Sequence, residues 1–149
     1  MPTIRTFVPP LALALMAQAA TAAASDSRSQ DIKRHAPPGI TAAFYACVDK
    51  AGSDTNAASN CLTDERARQD NRLNATYKNL LSKLAPKAKD QLIHAERAWL
   101  KFQEASGALE SSVYNSEAVG NLQVTENAIF RICKRANALD DYLFVVNLQ

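Results

Sequence analysis

At 149 residues, with a formal net charge of +2, 47% hydrophobic and 21% charged residues, the chain has room for one ordinary globular domain and lacks the basic excess of a nucleic-acid binder. Its glycines and prolines are scarce, and Pro86 is the single proline beyond residue 38, so a β-sandwich with its many turns is excluded and helix is favoured. Two histidines, His35 and His94, and the lack of any CxxC, HExxH, calcium-loop or phosphate-cradling glycine pattern argue against a metal or nucleotide site, and no cofactor is expected.

Residues 1–24 carry one cation, Arg5, then an apolar run from Phe7 to Ala17 broken by Pro9 and Pro10, then small residues ending in Ala22, Ala23 and Ala24. This order predicts a secretory signal peptide cut after Ala24, with an apolar run too short to span a bilayer. The expected mature protein is periplasmic or secreted and makes no stable membrane insertion. Loss of Arg5 leaves 16 basic residues against 15 acidic, a net charge of +1 that steers it towards no partner class. Three cysteines in an exported chain predict one disulfide and one remaining thiol. Cys47 and Cys61 flank a Gly/Ser/Asp/Asn-rich loop over residues 51–60 and are the favoured pair. Cys133 is then a buried inert thiol, a site of intermolecular bridging or part of a different pairing.

Residues 25–39 are polar apart from Ile32 and Ala36 and close on Pro37-Pro38, the composition of a disordered leader. The helical domain proper is expected over residues 40–149. Ile40, Ala43, Phe44, Cys47 and Val48 space one short amphipathic helix that lies as a lid on the core. A long helix from Thr55 to about Leu84 follows, with the stripe Leu73, Tyr77, Leu80, Leu81 and Leu84 in its second half. Its first half, Asp64 to Arg72, is almost wholly polar, with Asp64 and Arg68 spaced for an i,i+4 pair.

Pro86 stops that helix and opens the next, a connection short enough to force an antiparallel hairpin. In the second arm Leu92, Ala95, Trp99, Phe102, Ser106, Leu109 and Val113 alternate three and four, the spacing of a bundle seam. Asn121 is placed to cap a last helix with Leu122, Thr125, Ile129, Ile132, Ala136, Leu139, Leu143 and Val146 on one side. Its end, Tyr142 to Val146, is apolar all round and needs cover either from the first helix or from a second subunit, the latter giving a homodimer. The expected fold is all-α: three long helices in an antiparallel arrangement plus one short N-terminal helix, with one disulfide.

No Ser or Cys accompanies His94 in a nucleophilic motif, and no loop promises a cleft around a carboxylate pair, so an enzyme is not expected. What remains is a polar set on the hairpin: Glu65, Asp70, Asn74, Tyr77, Arg97, Gln103 and Glu104. Such residues either fix helix register by hydrogen bonding or present a recognition surface.

The order Cys61, Glu65, Asp70, Leu73-Asn74, Tyr77, then Glu96-Arg97-Ala98-Trp99-Leu100-Lys101-Phe102 resembles the bacterial lysozyme inhibitor LprI-type domain. The resemblance runs from about Phe44 to Leu143 and rests on Leu-Asn-x-x-Tyr and Arg-x-Trp. It departs where the family commonly has a further cysteine, here Ser106-Gly107, and at Glu96, where Gln is more usual. The resemblance implies a helical, disulfide-bearing, exported protein-binding module that inhibits a lysozyme-like glycosidase. Asp64, Glu65, Asp70, Asn74, Tyr77 and Arg97 are the candidate partner-binding residues, with Asp64, Glu65 and Asp70 as a local acidic cluster for a cationic target. The alternative is a non-catalytic envelope interaction protein.

Overall fold

The computed structural model describes residues 27–114 and 117–148. The expected signal peptide, residues 1–24, lies outside them. Among the described residues there are five helices and no strand: α1 (Arg28–Lys33), α2 (Ala42–Ala51), α3 (Thr55–Lys83), α4 (Pro86–Val113) and α5 (Ala118–Asn147).

Local chemistry sets most of these boundaries. Thr41 caps α2 by accepting from the Phe44 N–H, and Asp54 caps α3 by accepting from the N–H groups of Asn56 and Ala57. Gly52 ends α2 at a φ of 55°, a left-handed angle that glycine adopts without penalty. Ala85 is held extended by the proline after it, and Pro86 is the first residue of α4. Residue Glu117 precedes α5, which therefore starts ahead of the expected cap at Asn121.

Helix α5 is the centre of the molecule. It packs most extensively against α3, less so against α4, while α2 packs on α3 and α1 on α2. Contacts from Arg72 to Cys133 and from Thr76 to Asp140 run in step along α3 and α5, so those two helices are parallel. Glu96 meets Arg135 and Glu110 meets Arg131, so α4 runs back antiparallel. The expected arrangement of three long helices holds, but the α3–α4 hairpin is not its organising unit.

Two apolar clusters fill the bundle. One joins Ile32, Ile40, Phe44, Val48, Cys61, Leu62, Ile129, Phe130 and Cys133. The other joins Leu73, Leu80, Leu92, Ile132, Ala136 and Leu139, with Tyr77, Leu81, Leu84, Trp99, Leu143 and Val146 against it. The disulfide Cys47–Cys61 forms as expected and pins α2 to α3, and Cys133 is free and buried.

Three expectations need correcting. First, residues 27–39 are not a disordered leader. A six-residue helix is too short to stand alone, and α1 is held by tertiary contacts. Ile32 is buried, the Ser29 N–H and hydroxyl donate to the Asp49 carboxylate at 2.9 and 2.6 Å, and the Lys33 ammonium lies 4.7 Å above the Tyr45 ring.

Second, the face of α4 that meets α5 is the predicted seam only in part, at Leu92 and Trp99. The inward positions are Leu92, Glu96, Trp99, Gln103 and Glu110, whereas Ala95, Phe102, Leu109 and Val113 are exposed. Polar residues hold this contact: Arg135 donates to Glu96, and Arg131 donates to Gln103 and Glu110. Third, α2 does not cover the end of α5. It belongs to the other cluster, and Tyr142, Phe144 and Val145 stay exposed.

Candidate functional site

The polar half of α3 is where the predicted site residues sit, and its chemistry is organised around Glu65. No surface of that side chain reaches water. Its Oε1 accepts from the Thr41 N–H at 3.0 Å and from Gln69 Nε2 at 2.7 Å, and its Oε2 accepts from the Thr41 hydroxyl at 2.6 Å and Arg68 Nε at 2.8 Å. Burial pushes the Glu65 carboxyl up, but these hydrogen bonds outweigh it and hold the group below the usual carboxylate range. Glu65 is thus an ionised anchor for the start of α2.

The same network continues along the α3–α5 seam. Gln69 also donates to the Gly39 carbonyl, and the Pro38 carbonyl accepts from Cys133 Sγ and Asn137 Nδ2. Arg72 donates to Asp140, Gln69 and Asn137. Burial pushes the Cys133 thiol up, with Arg72 opposing it, so the sulfur stays protonated and donates a hydrogen bond. Gly39 has a φ of 101°, and a Cβ there would meet Arg72 Nη1 at 2.5 Å. The strap of residues 38–41 therefore passes so close over α3 and α5 at Gly39 that a side chain there would displace Arg72.

Against this frame the six partner-binding candidates separate. Glu65 is withdrawn: a carboxylate with four internal donors and no exposed surface cannot meet a partner. Asp64 is exposed, and the expected Asp64–Arg68 pair is replaced by Arg68 with Glu65. Asp70 is partly exposed and pairs with Arg66 at 3.7 Å. The proposed acidic cluster is therefore interleaved with Arg66, Arg68 and Arg72, and presents no net negative patch.

Asp70, Asn74 and Tyr77, at i, i+4 and i+7, share one side of α3. Tyr77 lays part of its ring on the second apolar cluster. Asn74 and Arg97 are exposed. Both belong to the motifs that carry the family resemblance, and neither side chain is used in the packing described above. Gln103 is structural: its amide donates to the Ala128 carbonyl at 3.1 Å and accepts from Arg131.

Sequence reasoning missed Gln69, Arg72, Asn137 and Asp140, because polar residues that meet across two distant helices leave no periodic signal. It also missed a cleft of about 800 Å³ between α1, the end of α4 and the start of α5, flanked by Arg28, His35, Glu110, Glu126 and Lys134. Burial raises the Glu126 carboxyl, opposed by a hydrogen bond from Gln123 and by Arg28 and His35. Cations and carboxylates are mixed there, and Glu110 is committed to Arg131. Among the described residues no helix is long and apolar enough to cross a membrane, and no three His, Cys, Asp or Glu side chains gather as a metal site.

The family model described as Lysozyme inhibitor LprI matches residues 47–139, from the first cysteine of the disulfide to Leu139 in the core. No curated protein and no solved structure matches the chain.

Proposed function

The chain belongs to the lysozyme inhibitor LprI family, and from that premise we propose that it is an exported, non-catalytic inhibitor of a lysozyme-like glycosidase, acting in the periplasm or outside the cell. The observation that carries the reading is the family match itself, which spans both halves of the disulfide, Glu65 and the Trp99 helix. A rigid surface suits such a role, because contact groups held in place before binding lose little entropy on association.

The candidate contact residues in this reading are Asp64, Asp70, Asn74 and Tyr77 of α3 and Arg97 of α4, each exposed or partly exposed. Without a net acidic patch, attraction to a cationic enzyme is local, so inhibition should depend only weakly on salt. The test is lysozyme activity on peptidoglycan with increasing amounts of the chain at low and moderate salt. Dose-dependent inhibition is expected, and the double substitution Asn74→Ala/Arg97→Ala should weaken it about tenfold or more without lowering the melting temperature. Undiminished inhibition by that variant would move the contact elsewhere. No inhibition of any lysozyme type would favour the second reading, a non-catalytic envelope interaction protein. The uncovered end of α5, residues 142–148, offers such a role an apolar contact surface.

A further inference from the structure

Helix α4 carries two interleaved stripes, and α5 uses one of them. The other consists of Ala95, Ala98, Phe102, Ala105, Leu109 and Val113, all exposed, at steps of 3, 4, 3, 4 and 4. Phe102, Leu109 and Val113 leave 57%, 66% and 64% of their surface open to water. A near-heptad apolar face is the sequence form of a coiled-coil seam, and among the described residues none covers this one. We propose that it pairs with the same face of a second copy, antiparallel, to form a two-fold dimer.

The distribution of residue sizes selects both the occupant and the direction. Small residues fill the start of the stripe, Ala95 and Ala98, and large ones fill its end, Leu109 and Val113, with Phe102 and Ala105 at the middle. An antiparallel copy centred between Phe102 and Ala105 sets Phe102 against Ala105, Leu109 against Ala98 and Val113 beside Ala95. Every large side chain then meets an alanine, as close packing of a helix pair requires. A parallel copy would stack large on large and leave gaps between alanines.

Along the flank away from α5 run His94, Lys101 and Ala108, and the antiparallel register brings Lys101 to Ala108, so no like charges meet. The low net charge of +2 adds little repulsion between copies. At the end of α5, Tyr142, Phe144, Val145 and Leu148 spread round the helix and form no such repeat.

The stripe is about 27 Å long at the rise of an α-helix. One helix pair of that length lies at the small end of specific interfaces, so the dimer should be reversible, with a dissociation constant of about micromolar order or weaker. This inference does not rest on the inhibitory role.

Sedimentation of the purified chain from low concentration to about 1 mM reads the association directly. Mass rising from monomer to dimer is expected, and Phe102→Asp or Leu109→Asp should abolish the rise while leaving helicity unchanged, since both positions are exposed. Direction is read by oxidising single-cysteine variants. Ala98→Cys mixed with Leu109→Cys should cross-link between the two variants, whereas each alone should not. A monomer throughout the range, a dimer that survives Phe102→Asp and Leu109→Asp, or cross-linking of Ala98→Cys with itself would each overturn the proposal.

Discussion

Glu65 shows how a residue that looks like a surface carboxylate can be fully committed to internal hydrogen bonds. It accepts from a backbone N–H, a hydroxyl, an amide and a guanidinium, so its charge is balanced by dipoles as much as by Arg68. Because its folded pKa is lowered, its contribution to stability is present above the unfolded value of about 4.3 and is lost as pH falls through the folded value. Glu65→Gln should therefore cost about 1–3 kcal/mol at neutral pH, since it keeps one acceptor but loses the charge-assisted bonds. Urea denaturation between pH 7 and pH 3 checks this. The gap between the two proteins should narrow below about pH 4, as the wild-type carboxylate takes up its proton. A gap that stays constant with pH would mean that the charge of Glu65 contributes nothing.

At the scale of elements, the contact between α4 and α5 joins Leu92 and Trp99 to the apolar cluster but is otherwise held by polar groups, where a continuous apolar seam was expected. Arg131 lies with most of its side chain away from solvent and bridges Gln103 and Glu110, one helical turn pair apart on α4. Removing it as Arg131→Ala would leave Glu110 partly buried and unpaired, at a cost of about 2–4 kcal/mol. Hydrogen exchange should then quicken over residues 103–113 while α3 keeps its protection. Equal loosening of α3 would show that α4 is not separately held.

The extents of α3 and α4 were readable, because Asp54 and Pro86 act locally and Leu73, Leu80 and Leu92 repeat with helical period, whereas α5 starts ahead of Asn121. The side of α4 that turns inward was not readable. Two stripes alternate on it, and the choice depends on Arg131 and Arg135 from a helix far along the chain. For the same reason α1 was missed, since its order comes from Asp49 and Tyr45. Among the candidate partner-binding residues, the sequence could not separate the buried Glu65 from the exposed Asn74 and Arg97.

The whole molecule is two cores strung along one helix pair. The disulfide belongs to only one of them, the cluster around Phe44, Cys61 and Ile129. Closing a loop of this size stabilises by about 3 kcal/mol in the chain-entropy model. Replacing Cys47 and Cys61 together by Ser should lower stability by about that amount. The loss should appear as faster exchange in α1 and α2, with the cluster around Leu80 and Leu139 less affected. A uniform change along α3 and α5 would mean that the two cores open as one unit.

Both cores take their central residues from α5, and the strap at Pro38 is fastened by Cys133 and Asn137. Residues near the start of the fold thus wait for a helix made almost a hundred residues later. Helices α2 to α4 can form transient turns as they are synthesised, but neither core can close and no strap can be tied until α5 has been made. Closure of both cores therefore waits on Ile129 to Leu139 of α5, and the order of synthesis along the chain is not the order in which its buried contacts can close.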